Sequence, residues 1–509
     1  MLGIFGGTRS DHPMADLKEA RRLLAGLSAS DPCQGLDEAT HYLASVTVEP
    51  GFRPEQRAQL VQLVDEAGQV LARKAGREYI ASSRIGKHQE TKLWTLAYGY
   101  WKASALAYVT CLDAYATGQK GADTLKGTVP LLGVRALRSL ATQLKWLHVR
   151  YGPLDERIWL MINRTYALLE SRKLAQVKVA VYPGVAAEST PEQEFMRVAM
   201  FSACSPDSLL PPELELAERI IASWTPRFVL VREHQPDTPY WVDLGATLPP
   251  VRIARPPPPA PGIRFFGAGP AFAEIDLLTQ QIRNTREFPA SLGVNDAITP
   301  DVALGVLEHL QTCWSPKLAE RRHPRHRVKS RLTIAWGLDG ILEVLAPGKS
   351  LSFDGSDYES WIVENVSVGG FGALVPEVRG DWLRIGCLLA MQPEGGDNWL
   401  IGVVRRLSRP SMQQAAVGIQ TLARNAVPVV LRMHNGNTTS LDTETGILLN
   451  PGGPEGEMQV LVHAGVHAPG QSLSFDLNGR HTVLLPVGVP ERRNDYELLR
   501  CRHLVRDAA

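Results

Sequence analysis

The hydrophobic period of this chain changes partway along, and that change limits the fold to a helical part followed by a β part. Up to about residue 225, apolar residues recur at three- and four-residue spacing over Ala15 to Leu27, Gln56 to Ala75, Gln89 to Tyr115, Leu131 to Tyr151 and Leu154 to Lys173. That is the period of an amphipathic helix, with Gly or Pro at several of the breaks. Leu131, Leu132, Val134, Leu137, Leu140, Leu144 and Leu147 make one broad apolar face. Helices of this length predict a bundle or a helical array. No fixed period near 34 residues supports a tetratricopeptide reading. Trp94, Tyr98, Tyr100, Trp101 and Tyr108 lie at helical spacing, which makes them core before it makes them a partner groove.

Arg227 to Glu233 and Tyr240 to Leu244 read as a small hairpin, followed by a stiff polyproline-type spacer from Arg255 to Gly262 (RPPPPAPG). Two further helices are expected, Ala271 to Arg283 and Pro300 to Cys313. From there on the pattern is β. Arg331 to Trp336, Gly340 to Leu345, Ser360 to Ser367, Phe371 to Val375, Gly386 to Met391, Trp399 to Arg406 and Ala415 to Gln420 are short runs rich in β-branched and aromatic residues, parted by turn residues. Seven such runs predict a sandwich or small barrel. Val427 to Met433, Gly446 to Leu449, Met458 to His463, Ser472 to Asp476, His481 to Val487 and Tyr496 to Arg500 predict a further β-domain. The expected fold class is therefore multidomain α+β. Its domains are a helical bundle or repeat-like region at 1–225, a hairpin, linker and connecting helices at 226–316, an antiparallel β-domain, sandwich or small barrel, at 317–425 and a small all-β domain at 426–509.

Two motifs flank the first β stretch. In Glu320-Arg321-Arg322-His323-Pro324-Arg325-His326-Arg327-Val328, Arg321 and Arg325 stand four residues apart. Guanidiniums fork onto phosphate and stack on aromatic rings. In Glu364-Asn365-Val366-Ser367-Val368-Gly369-Gly370-Phe371, an amide and a hydroxyl two residues apart share one face of a strand, and two glycines let a ligand approach the backbone. Either motif alone is weak: RRHPRHRVKSR by itself is a solvated linker or a nonspecific phosphate patch.

In this order and at this separation, the motifs resemble those of the PilZ family, RxxxR followed by [D/N]xSxxG. Arg321 and Arg325 fill the first; Asn365, Ser367 and Gly370 fill the second, with Asn in place of the commoner Asp. The resemblance covers roughly residues 317 to 425, and the closing runs WLIGVVRRL and AAVGIQTL are also similar to the last strands of a PilZ barrel. It implies a bacterial receptor for the second messenger cyclic di-GMP. The arginines would form a flexible strap at the barrel mouth, and the Ser/Gly turn would lie on the wall beside it. The implied ligand set is Arg321, Arg322, Arg325, Asn365, Ser367, Gly369 and Gly370, with Arg327 as a further helper. The family binds and does not turn over its ligand, and passes the signal to motility, pili, secretion or exopolysaccharide. The implied partner would meet the N-terminal helices. The last domain carries neither motif, since Arg492 and Arg493 precede Asn494, Asp495 and Tyr496, and reads as a companion barrel or partner surface.

Composition excludes several classes. With 509 residues, 44% hydrophobic, 21% charged and a net charge of +1, the chain is not a basic polyanion binder, and no nucleic acid is expected as its partner. No apolar run reaches the length of a membrane span, and the first residues lack the features of a secretory signal. The six cysteines are scattered with no CxxC pair, as expected of thiols in a reducing, cytoplasmic setting. No cofactor and no metal is expected, because His323 and His326 have no Cys or carboxylate at ligand spacing. Gly348-Lys349-Ser350 ends like a P-loop but has Glu343 where that loop needs its first glycine, and Gly267-Ala268-Gly269 lacks a third glycine. Without a catalytic motif, the alternative to a cyclic di-GMP receptor is a structural adaptor with a vestigial barrel, its helical region binding a protein partner.

Overall fold

The structure is a computed structural model that describes residues 11–504 except 28–30, 82–85, 186, 294–297, 318–322, 347–357, 435–441 and 452–456. The chain divides into two compact units, Met1–Ala319 and Glu320–Ala509. The first is built on α1 (Leu17–Leu27), α2 (Pro32–Val48), α3 (Pro54–Ala81), α4 (Lys87–Ala116), α5 (Val129–Val149), α6 (Glu156–Ser171), α7 (Pro191–Ser202), α8 (Pro211–Trp224), α9 (Ala271–Thr285) and α10 (Pro300–Trp314). Local chemistry starts several of them. Asp31 accepts the N–H groups of Cys33 and Gln34 ahead of α2, each at 3.2 Å. Thr190 and Gln193 exchange reciprocal bonds at α7.

One apolar cluster runs through the whole helical unit, and a charged centre is buried inside it. The Asp65 carboxylate on α3 accepts the phenols of Tyr100 (2.8 Å) and Tyr108 (2.7 Å) from α4, with the Arg135 guanidinium of α5 3.9 Å away. Burial raises the Asp65 pKa against the pull of Arg135. Arg135 in turn donates to Glu66 (2.8 Å) and to the Val181 carbonyl (2.8 Å), so its own charge is neutralised.

Six short strands complete this unit. β1 (Val179–Ala180) pairs with β2 (Glu188–Ser189), while β3 (Val229–Val231), β4 (Tyr240–Asp243), β5 (Val251–Arg252) and β6 (Ile263–Gly267) form a sheet in the order β3-β6-β4-β5. The expected hairpin is thus not formed: β6 lies between β3 and β4. Its five residues, Ile-Arg-Phe-Phe-Gly, are all buried, with the Arg264 guanidinium donating to Glu170 at 2.8 Å, and a strand buried along its whole length takes the central place. The proline-rich segment consequently connects β5 to β6 of one sheet and is not a spacer between domains. On β5, Arg252 stacks over Tyr240, 5.4 Å from the ring centre, and donates to the carbonyls of Cys313 (2.5 Å), Ser315 (2.5 Å) and Lys317 (3.0 Å). One guanidinium therefore fastens the end of α10 and the chain leaving it.

The second unit holds two closed six-stranded barrels. The first comprises β7 (His326–Trp336), β8 (Glu359–Ser367), β9 (Gly370–Val375), β10 (Leu388–Pro393), β11 (Leu400–Ser408) and β12 (Ala415–Ala423). The second comprises β13 (Ala426–His434), β14 (Asp442–Leu449), β15 (Glu457–His463), β16 (Ser472–Leu477), β17 (Arg480–Arg492) and β18 (Tyr496–Leu504). In both, the first strand pairs with the second and the fourth, and the sixth pairs with the third and the fifth. The barrels therefore share one topology. All pairings are antiparallel, and closure leaves no strand edge unpaired.

Gly340 to Leu345, expected as a strand, instead belongs to helix α11 (Gly337–Leu345). A short apolar run is ambiguous between the two states. Here Leu338 and Ile341, three residues apart, enter a core shared by Ala335, Leu388, Ile401 and Val403 of the first barrel and Ile447, Leu461 and Tyr496 of the second. Polar ties add to this core: Arg405 forks onto Glu491 at 2.8 and 2.7 Å, and Tyr496 donates to the Gly386 carbonyl at 3.3 Å.

Candidate functional site

The candidate site is an open cleft of about 1080 Å³ on the first barrel, lined by Arg325, Arg327, Val328, Lys329, Ser330 and Arg331 from β7 and its approach, by Ile362, Val363, Glu364 and Asn365 from β8, and by Glu394. Trp361 and Val363 point into the barrel, 0% and 3% exposed, so the half-buried Ile362 between them faces outward. A tryptophan stack holds this wall. Trp382 lies 4.4 Å from Trp336 and 5.9 Å from Trp361, and the Glu359 carboxylate accepts the indole N–H of Trp361 (2.8 Å) and of Trp382 (3.2 Å).

Register creates the cleft. Ser330 pairs with Val363 but Arg327 with Asn365, so β7 carries an extra residue; Val363 pairs with Ala373 but Asn365 with Gly372, so β8 carries one as well. Two bulges at one level bend both strands and re-aim their side chains. Arg327 is thereby set directly across from Asn365. The Asn365 amide lies over Gly372, where a Cβ would sit 2.4 Å from its Nδ2. Gly372 keeps that space open.

The expected residues divide into groups. Arg321 and Arg322 lie outside the described residues. Arg325 is exposed immediately before β7 and shares the cleft with Asn365. The second half of the arginine segment is strand and not strap, because β8 extends far enough to pair His326 with Val366. Ser367, Gly369 and Gly370 form the turn beyond Asn365 and are not among the lining residues. The Ser367 hydroxyl donates to the Gly370 carbonyl at 3.3 Å. Gly369 is exposed, with only the His323 ring within 4 Å of where its Cβ would be. Gly370 is buried at φ 157°, and its Cβ would stand 1.9 Å from the Ile419 carbonyl oxygen. The close approach at Gly370 is thus made by the backbone of β12.

Lys329, Arg331, Glu394 and Gly372 were not anticipated. A signal for the first two was present: Arg325, Arg327, Lys329 and Arg331 alternate, which is the spacing of one strand face. Glu394 carried no such signal, since the turn after β10 reaches the cleft only through barrel closure. Among the described residues, no hydrogen bond or ion pair engages the side chains of Arg325, Arg327 or Lys329. Four cations against two carboxylates give the lining an excess of positive charge that fits an anion. Among the described residues, no cluster of His, Cys, Asp and Glu could hold a metal ion, and no helix is long and apolar enough to cross a membrane.

Comparison with known families gives two matches. Residues 18–235 match the model for the N-terminal domain of the cyclic-di-GMP receptor FimW, and residues 354–428 match the model for its middle PilZ domain. Together they span more than half of the chain. Comparison with curated proteins finds no match.

Proposed function

The chain belongs to the PilZ-domain family, and on that basis we propose that it is a cyclic di-GMP receptor whose first barrel takes the dinucleotide in the β7–β8 cleft. The observation that carries this reading is the pairing of Arg327 with Asn365 across two bulges, with Arg325 in the same cleft. Guanidiniums there meet the two phosphodiesters and stack on guanine, while the Asn365 amide meets a base edge. Ser367 fixes the turn that ends β8. Arg321 and Arg322 extend the clamp from the segment before Arg325. The chain acts by binding and not by turnover, and the helical unit passes the signal on through protein contacts.

The second barrel is a companion that does not bind the dinucleotide. Its Arg492 and Arg493, at the end of β17, are engaged by Glu497 at 2.8 Å and by Glu491 at 3.0 Å, which supports this role. Calorimetric titration of the purified chain with cyclic di-GMP tests the reading. Saturable binding is expected; no heat and no shift in thermal stability would leave the adaptor reading standing, because an adaptor needs no ligand.

A further inference from the structure

We propose that Glu394 is the residue that makes the cleft select guanine over adenine, an inference that rests on the dinucleotide reading of the cleft. Glu394 follows β10 and is exposed on the cleft lining. Two bonds to one residue of β7 hold it there. Its backbone N–H donates to the Arg331 carbonyl at 3.1 Å, and its Oε2 accepts the Arg331 N–H at 3.3 Å. The Arg331 guanidinium meanwhile donates to the Ser360 hydroxyl at 3.4 Å. Among the described residues Glu394 has no ion pair, although four cations line the same cleft. The carboxylate thus keeps most of its acceptor capacity turned to whatever occupies the cleft.

The chemistry of the bases gives that carboxylate a purpose. A carboxylate is acceptor-only and can take two parallel donors. Guanine offers such a pair, its N1–H and exocyclic N2–H, on the Watson–Crick edge. Adenine presents a lone pair at N1 there, which a carboxylate repels. Guanidiniums also favour guanine, through the acceptors O6 and N7, but they do not read N1; ammonium meets phosphate, and the Asn365 amide carries both a donor and an acceptor and fits either purine. Glu364, the other carboxylate of the lining, has among the described residues no hydrogen bond that fixes its side chain, whereas Glu394 is tied to Arg331. An anion-binding cleft that contains a carboxylate loses some attraction for phosphate, and selectivity through repulsion of the wrong base is a return for that loss.

The test is titration of the full chain and of Glu394→Gln with cyclic di-GMP and with cyclic di-AMP, alongside Arg325→Ala. Glutamine keeps an acceptor for the Arg331 N–H, removes the charge and exchanges one acceptor oxygen for an amino donor, which adenine N1 can accept. We expect Glu394→Gln to weaken cyclic di-GMP binding about tenfold and to narrow the preference over cyclic di-AMP by at least as much. If Glu394 acted only as a surface charge, its loss would tighten both dinucleotides equally, and that result would overturn the proposal. So would unchanged affinity and preference in Glu394→Gln while Arg325→Ala loses binding, an outcome that leaves the receptor reading intact. If the unaltered chain binds neither dinucleotide, the receptor reading fails and this proposal fails with it.

Discussion

Arg325 stands exposed one residue before β7 and shares the cleft with Asn365. Its guanidinium can both fork onto a phosphate and stack on a purine. Arg325→Ala should therefore lose about 2 to 4 kcal/mol of cyclic di-GMP binding, a fall of roughly thirtyfold or more, and Arg325→Lys should recover little of it. An unchanged dissociation constant for Arg325→Ala would remove the residue from the site. The glycines separate folding from binding. Gly370→Val drives a side chain into the Ile419 carbonyl, so it should cost at least about 3 kcal/mol of barrel stability, read by denaturant unfolding. In Gly372→Ala the atoms nearest the new Cβ are those of the Asn365 side-chain amide. It should leave circular dichroism unchanged and weaken binding by roughly tenfold through the displaced amide. Equal stability of Gly370→Val and the unaltered chain would contradict the strand packing described above. The motif names Gly370 as a turn residue and says nothing of Gly372; the pairing of Gln420 with Gly370, and of Asn365 with Gly372, gives each its task.

Among the elements, α3, α4 and α5 meet on the Asp65 centre. Arg135→Met would leave the Asp65 carboxylate buried without a cation, and removing one partner of a buried pair costs about 3 to 5 kcal/mol. Thermal unfolding of the helical unit should show that loss, and the loss should shrink when Asp65→Asn is added. A pH-dependent tie lies between α11 and the second barrel. His463 on β15 donates to Asp339 of α11 at 2.9 Å and pairs with Glu444 of β14, with Asp495 lining the same hollow. Partial burial lowers the His463 pKa, but the two carboxylates outweigh it and raise the pKa above the ordinary 6.5. A raised folded-state pKa means the tie is whole below pH 6.5 and fades as the pH climbs through the folded value. His463→Gln should flatten that part of the stability–pH curve. A profile that His463→Gln leaves unaltered would show that the imidazole is not the group titrating. The helices of the first unit were largely legible because their apolar faces repeat. Helix α11 was not, because six apolar-rich residues fit either state until two barrels supply the surfaces they bury against.

For the molecule as a whole, the relay of the proposed receptor would run through the chain that leaves α10. Arg252 fastens residues 313–317 to the small sheet of the first unit, and Arg325 enters the cleft of the second. Ligand that closes on Arg325 should therefore slow hydrogen exchange in residues 314–330 and change it somewhere between residues 263 and 313. Arg252→Ala should keep the protection at 323–330 and abolish the change before residue 314. Protection confined to the barrel in the unaltered chain would mean that a partner reads the barrel and its ligand directly.

The sequence by itself determined which kind of element most stretches would form, α11 excepted, because side-chain periodicity is a local property. It also placed an arginine segment and an Asn-x-Ser-x-x-Gly turn about forty residues apart. Only the tertiary structure decided which of those residues face one another. Register follows from barrel closure and from two bulges, and neither leaves a local mark. Closure also brings Glu394 beside residues more than sixty positions earlier. The same reason hides the kinship of the two barrels. Six strands can pair in one order with different side chains, since the order is set by backbone hydrogen bonds and the length of the connections. The β3–β4 pair failed for a related cause: β6, buried along its whole length, took the place between them once the whole sheet could form.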